Sequence, residues 1–354
     1  MDNRDDNIDI KLFEFDERKD RVIEDIQGSS LSFWTDARVR FSKNKAAVFA
    51  TIALIILLVI AITSPFLGAY YNDSLGGTGE PGANIMGQFV NADLAKLPPK
   101  IPVVQHIGIA DGVVDGVDKY AEAGIENDTY FLFGTDGIGR DLFVRTMIGS
   151  LVSIGFGLAA AVLDILIGVS LGGISGYYGG KIDLLLQRIV EVLGSIPRLI
   201  WVILLIMYLN PGVVPLLLAM MISGWIPMYR IVRGQVFKLK EQEFVLSSKT
   251  LGGGGLWIIF KHILPNTMGV IIIWLMFTIP SAIFFESFLS FLGLGISVPT
   301  PSLGSLANDG REYLNTFPYI LFIPASVLSI IMLAFNLIAD GLRDAFDPKM
   351  RGGE

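Results

Sequence analysis

Residues 241–266 read EQEFVLSSKTLGGGGLWIIFKHILPN, a mostly polar stretch between two long apolar runs. Positions 241–251 hold no Gly or Pro and predict a short helix, with Gly252 where a left-handed C-terminal cap would end it. Phe244, Ser248 and Leu251 recur on it at i, i+4 and i+7, while Glu243, Lys249 and Thr250 lie elsewhere around the barrel. Gly253, Gly254 and Gly255 then break the chain. A second helical pattern over 256–264 carries Lys261 and His262, and Pro265 and Asn266 punctuate the entry into the next apolar run. A helix this short has no core of its own, so Phe244, Leu246 and Leu251 predict a partner surface that covers them.

The flanking runs set the class. Of 354 residues 52% are hydrophobic and 17% charged, the balance of an integral membrane protein and not of a soluble enzyme. The net charge of −7 gives no basic footprint for nucleic acid. Without cysteine there is no disulfide framework, thiolate metal site or Cys nucleophile. No metal site is expected.

Residues 1–30 form an acidic, solvated tail. Over 31–45, Leu31, Trp34, Ala37 and Phe41 recur at helical spacing, which predicts a helix lying along the membrane interface. Residues 46–68 are read as a first span: the 22 from Ala46 to Leu67 are apolar and at 1.5 Å each reach about 33 Å, enough to cross a bilayer core. A polar excursion fills 69–140, with Phe131, Phe133 and Val113 among the apolar residues that would pack it. Five further spans are expected near 147–172, 184–209, 212–230, 267–292 and 317–339. They make a five-helix unit over 141–343 that contains the 231–266 loop, followed by a 344–354 tail. Basic clusters at Arg38, Arg40, Lys43 and Lys45, at Arg230, Arg233, Lys238 and Lys240, and at Arg343, Lys349 and Arg351 all fall on one side of a six-span arrangement. That side is read as cytoplasm, with both termini and the 241–266 loop on it; the 69–140 excursion and the 293–316 loop face outward.

Ionisable residues within spans mark bundle interiors or cavities. Asp183, Gln187, Glu191, Ser195 and Arg198 make one polar stripe down the third span, with Pro197 as a possible kink; Thr278, Ala282, Glu286 and Ser290 make another in the fifth. Both stripes are candidates for lining a translocation path, or else for interhelical polar contact, with Glu286 paired to Arg140 or Arg311. Gly168, Gly172 and Gly176 repeat every fourth residue and predict close helix packing. Gly173-Ile174-Ser175-Gly176 also reads as the G-x-S-G of an intramembrane serine protease, but the two histidines, His106 and His262, both lie outside the spans, leaving Ser175 without a base. The Gly-rich signature of a phosphate loop is absent, so ATP would be bound by another subunit.

Several stretches together resemble one family. Leu246-Ser247-Ser248, Gly252 and Ile263-Leu264-Pro265 fit the frame of the cytoplasmic E-A-A, Gly, I-x-L-P signature of ABC importer permeases. Phe133 to Asp141, FGTDGIGRD, is similar to the G-T-D-x-x-G-R-D box of oligopeptide and dipeptide importer permeases. ESFLSFLGLG from Glu286 and AFNLIADGLRDAFDP from Ala334 look like the C-type subunit of those importers. The chain departs from the signature at Leu246, where the family has Glu. The resemblance implies an all-helical, six-span permease of the type I importer kind, in a bacterial or archaeal cell membrane and bounded by its lipid. It implies a second, homologous permease subunit, two cytoplasmic ATPases carrying ATP and Mg, and an extracellular or periplasmic substrate-binding protein. This chain would hold no cofactor. Peptide would be imported by alternating access, with nickel or another small solute as the alternative cargo. Glu243, Phe244, Leu246, Ser247, Ser248, Lys249, Leu251 and Gly252 would form the helix that couples to an ATPase.

Overall fold

The computed structural model describes residues 33–72, 94–102, 105, 110–114, 116–125, 130–296 and 300–346. The 1–30 tail, most of the 344–354 tail and parts of the 69–140 excursion, His106 included, lie outside them. Among the described residues the regular structure is helical apart from one small hairpin and two isolated bridges, Lys100–Asp111 and Thr135–Asp141. Helix α1 (Phe33–Lys43) leads through Asn44 into α2 (Lys45–Asn72), whose start is fixed when the Ala47 N–H donates to Asn44 Oδ1. The excursion carries β1 (Val113–Val114) and β2 (Val117–Asp118), paired antiparallel, and α3 (Lys119–Glu122). Phe131 enters its small core with Leu94, Leu97, Tyr120 and Ile125. Val113 instead stays exposed, and Phe133 turns away to meet Phe143 edge to face at 5.0 Å.

The main bundle begins with α4 (Leu142–Asp164), capped by Asp141, whose carboxylate accepts the Phe143 and Val144 N–H groups. Burial pushes that carboxyl up to about 6, against the pull of the two N–H donors. A π segment over Ile165–Val169 joins α4 to α5 (Ser170–Tyr178), giving one 37-residue rod of about 55 Å. The expected third span is not one helix. It is α6 (Gly180–Ser195) and α7 (Arg198–Leu209), bent by 77° at Ile196-Pro197. Proline removes an N–H and bars the preceding residue from helical geometry, and Ile196 sits at ψ 121 accordingly.

Next come α8 (Val213–Ser223) and α9 (Ile226–Leu239), one continuous span, then α10 (Glu243–Thr250) and α11 (Gly255–Ile258). A second π segment, Ile259–Ile263, runs on into α12 (Leu264–Phe291). Pro265 therefore does not separate a loop helix from a span: it lies in the first turn after the widened one, where a missing N–H costs little. The 293–316 loop contains a further helix, α13 (Leu303–Arg311), and α14 (Tyr319–Phe346) closes the chain. Among the described residues, five helices are long and apolar enough to cross a membrane, or six if the bent pair counts as one.

Contacts fix the two ends of the bundle. At one, Asn44 donates to Asp344, Trp34 packs on Phe346, and Phe346 lies against Gly269 near the start of α12, so the basic residues of α1 and the last turn of α14 lie at the end of the bundle where α12 begins. At the other, the Tyr319 hydroxyl lies 2.8 Å from Leu97 O and 3.2 Å from Thr135 O, which ties the excursion to the head of α14. The largest core joins α2, α4, α12 and α14 through Ala61, Met147, Ile154, Ile279, Ile283, Ile331 and Phe335.

Candidate functional site

Helix α10 presents its surface outward. Phe244, Leu246 and Leu251 are exposed, Leu251 to 89%, an arrangement that leaves apolar area uncovered within this chain. One residue fastens the helix: Val245 is 1% exposed and packs with Val236, Ile258 and Ile263. Sequence periodicity passed over Val245 because a single inward side chain on an eight-residue helix makes no stripe. Ser248 donates back to Phe244 O, and Ser247 O accepts from Thr250 Oγ1, while Glu243 and Lys249 stay in solvent.

The helix end has the form expected of it. Gly252 stands at φ +86°, its N–H donating to Lys249 O at 3.1 Å, and the Gly253 N–H donates to Ser248 O at 3.0 Å. These are the two bonds of a Schellman cap, which satisfy carbonyls the helix would otherwise leave open. Both flanks are anchored. Lys240 Nζ donates to Gly176 O at 3.1 Å, and a Cβ on Gly255 would strike the Tyr178 hydroxyl at 2.5 Å. The helix is thus held at both ends against α5 while its outer face remains open.

The third-span stripe does not survive as one line, because Arg198 lies beyond the 77° bend from the other four residues. Asp183 is turned inward: Arg233 donates to it through Nε (2.5 Å) and Nη2 (2.7 Å), and Ser175 and Gln187 donate as well. Ser175, which the protease reading would make a nucleophile, has Asp183 and the Tyr229 hydroxyl as its partners. Glu191 and Ser195 are exposed, Glu191 bridged to Arg188 at 2.7 Å. Arg198 lies over the Phe285 ring with its guanidinium 5.3 Å from the centroid. Asp164, alone in the second span, is 4% exposed, and its Oδ1 has no hydrogen-bond partner among the described residues.

In the fifth span, Thr278 spends its hydroxyl on Trp274 O. Glu286 is fully buried and pairs with neither Arg140 nor Arg311; serines surround it instead. Ser290 donates to its Oε1 at 2.7 Å and Ser153 to its Oε2 at 3.1 Å; Ser290 in turn accepts from Ser302, which caps α13. Glu286 therefore stitches α4, α12 and the start of α13, and in this conformation it lines no surface.

Arg140 has another partner. Its Nε donates to Asp136 Oδ2 at 2.6 Å, and the fully buried Arg145 shares the same carboxylate oxygen at 3.6 Å. Asp309 on α13 faces both arginines, at 3.7 and 4.0 Å. The Gly-Thr-Asp box is accordingly a charged knot between the excursion and α13. Arg140, offered to Glu286 from the sequence, instead takes Asp136 four residues before it, and Arg145 and Asp309 join them from separate elements.

With these elements placed, comparison with known proteins is direct. Residues 168–352 match the family described as "Binding-protein-dependent transport system inner membrane component", and residues 32–99 match the "N-terminal TM domain of oligopeptide transport permease C". The oligopeptide transport system permease protein OppC of Bacillus subtilis is 42% identical over 328 residues, 93% of each chain. The dipeptide transport system permease protein DppC of the same organism is 41% identical over 96% of this chain and 93% of its own. OppC of Escherichia coli is 35% identical over 92% and 94%. The chain is a multi-pass membrane protein that belongs to the binding-protein-dependent transport system inner membrane component family, the permease subunits of ABC importers.

Proposed function

We propose that this chain is the C-type permease half of an importer for oligopeptides or dipeptides, and that α10 docks in a groove on a cytoplasmic ATPase. The observation that carries the reading is the apolar surface left open by Phe244 and Leu251 on one side of buried Val245 and by Leu246 on the other, on a helix anchored at both ends. Such exposed apolar surface lowers its free energy when covered, and its rigid mounting lets the covering partner push on the bundle. Glu243, Ser247, Ser248 and Lys249 would form the polar rim of that contact, with Gly252 setting its exit. Leu246 replaces the family's Glu with an apolar group, so the opposing ATPase surface should be correspondingly less basic.

The partners follow from that role. A second, homologous permease completes the pore, two ATPases bind ATP and Mg, and an extracellular or periplasmic binding protein delivers peptide to the mouth formed by the excursion and α13. The basic end of the bundle faces the cytoplasm of a bacterial or archaeal cell membrane, with both termini there. Gln187, Glu191, Ser195, Arg198 and Thr278 are the residues offered to the path, while Glu286 acts behind it by holding α13. ATP binding shifts a two-state equilibrium of the spans, and this chain performs no chemistry. Purification through a tag on this chain tests the assembly. Co-elution of a second permease and two ATPases supports the reading, and a chain that elutes alone from native membranes counts against it.

A further inference from the structure

Helices α5 and α9 touch backbone to backbone. A Cβ on Gly172 would lie 2.8 Å from Tyr229 O and one on Gly176 2.9 Å from Arg233 O, so the two helices can move only together. Helix α10 follows directly from α9 and is tied back to α5 by Lys240 and Gly255. These pieces form one block at the α10 end of the bundle.

Helix α6 leaves that block through Gly179 and Gly180, both in the left-handed region at φ +63° and +53°, with open space around Gly180. Two consecutive glycines give the joint little stiffness of its own. What holds α6 beyond the joint is of two kinds. Val190, Leu186 and Leu193 pack on Trp225, Ile226 and Tyr229, an apolar and non-directional contact. Three residues after the joint, Asp183 receives the two-pronged Arg233 guanidinium and the Ser175 hydroxyl, a contact with fixed geometry.

We propose that Arg233 and Asp183 are the positioning pair through which displacement of α10 reaches the bent α6–α7 segment, an inference that rests on the coupling reading above. With the fork intact, α6 turns with the block and carries Glu191, Ser195 and, past the bend, Arg198. Without it, α6 slips at the diglycine joint while the block still answers the ATPase.

Two variants test this in the reconstituted complex: Asp183→Asn, which removes the charge, and Arg233→Lys, which keeps the charge and loses the fork. Both are expected to assemble and hydrolyse ATP, with peptide imported per ATP reduced about fivefold or more. A purely structural pair would lower the yield of complex and leave that ratio alone. Because the chain has no cysteine, nitroxides can be placed at exposed Leu184 on α6 and Lys238 on α9 and their separation measured by pulsed electron resonance. A single narrow distance in the parent that broadens or shifts in both variants supports the pair, including for a variant that fails to assemble. Wild-type import per ATP in assembled variants, or an unchanged distance distribution, overturns it. A parent complex that imports nothing would count against the transport reading alone, and the distances would still decide the pair.

Discussion

Replacing Gly252 by Val perturbs the exit of α10 in a way the structure makes unusually clean. The backbone there stands at φ +86°, and a Cβ built on it meets nothing within 4 Å. The cost is therefore conformational and not a collision: about 1–2 kcal/mol for an L side chain in the left-handed region, more toward the upper end for a β-branched one. The chain can escape that cost only by giving up the Gly252–Lys249 and Gly253–Ser248 bonds, each worth about 0.5–1.5 kcal/mol. Either way the docking-competent form of the helix end falls by a factor of about 5–30, and the apparent affinity for the ATPase falls with it. The assay is ATP hydrolysis stimulated by loaded binding protein, together with peptide uptake, in reconstituted complexes. Gly254→Ala is the control, since Gly254 has φ −67° and open space, and should stay within about 0.5 kcal/mol of the parent. Gly252→Asn should fall between the two, because Asn tolerates the left-handed region. Stimulation and uptake in Gly252→Val equal to those of Gly254→Ala would show that the left-handed exit of α10 is not needed for coupling.

Four other outcomes follow from particular contacts. Phe244→Ala and Leu251→Asp should leave thermal stability within about 0.5 kcal/mol, since both side chains are exposed, yet each should weaken ATPase retention on a pull-down by more than about 1 kcal/mol. Glu286→Ala strands the buried Ser153 and Ser290 hydroxyls and should cost about 1–3 kcal/mol in the melting of the solubilised complex, with Glu286→Gln losing less. Gly172→Leu drives side-chain volume into α9 and should cost about 1–3 kcal/mol or abolish expression, whereas Gly155→Ala, facing open space, should be silent in the same melt. Thr135→Val removes the hydroxyl that donates to Leu94 O and accepts the Leu97 N–H; the excursion should become cleavable by protease and the binding protein should dock more weakly.

Much of this architecture could be read from residues alone, for reasons the structure makes plain. Long apolar runs must become helices in lipid, and Gly252 closes its helix because few other residues can. The Gly168, Gly172 and Gly176 repeat announced its close contact, though not that α9 was the partner. Other features depend on groups distant in the chain. Pro197 signalled a kink, but not that it would turn α6 and α7 by 77°. Asp183 and Arg233 are 50 residues apart, and nothing local distinguishes a carboxylate that faces a path from one that clamps two helices. Glu286 shows the same limit from the other side: its Ser287 and Ser290 neighbours were visible, while Ser153 and Ser302 reach it only through the fold. The π segments over Ile165–Val169 and Ile259–Ile263 have no compositional mark at all.

We propose that this chain carries peptide across a membrane at the expense of ATP hydrolysed by its partners. It is tested most directly in proteoliposomes that hold this chain, the second permease and the two ATPases, with Mg and ATP inside and labelled peptide on its binding protein outside. Peptide is expected to accumulate in the lumen only with hydrolysable ATP, and accumulation should be lost with Leu251→Asp. Equal accumulation from vesicles lacking this chain, or from those given a non-hydrolysable nucleotide, would contradict it.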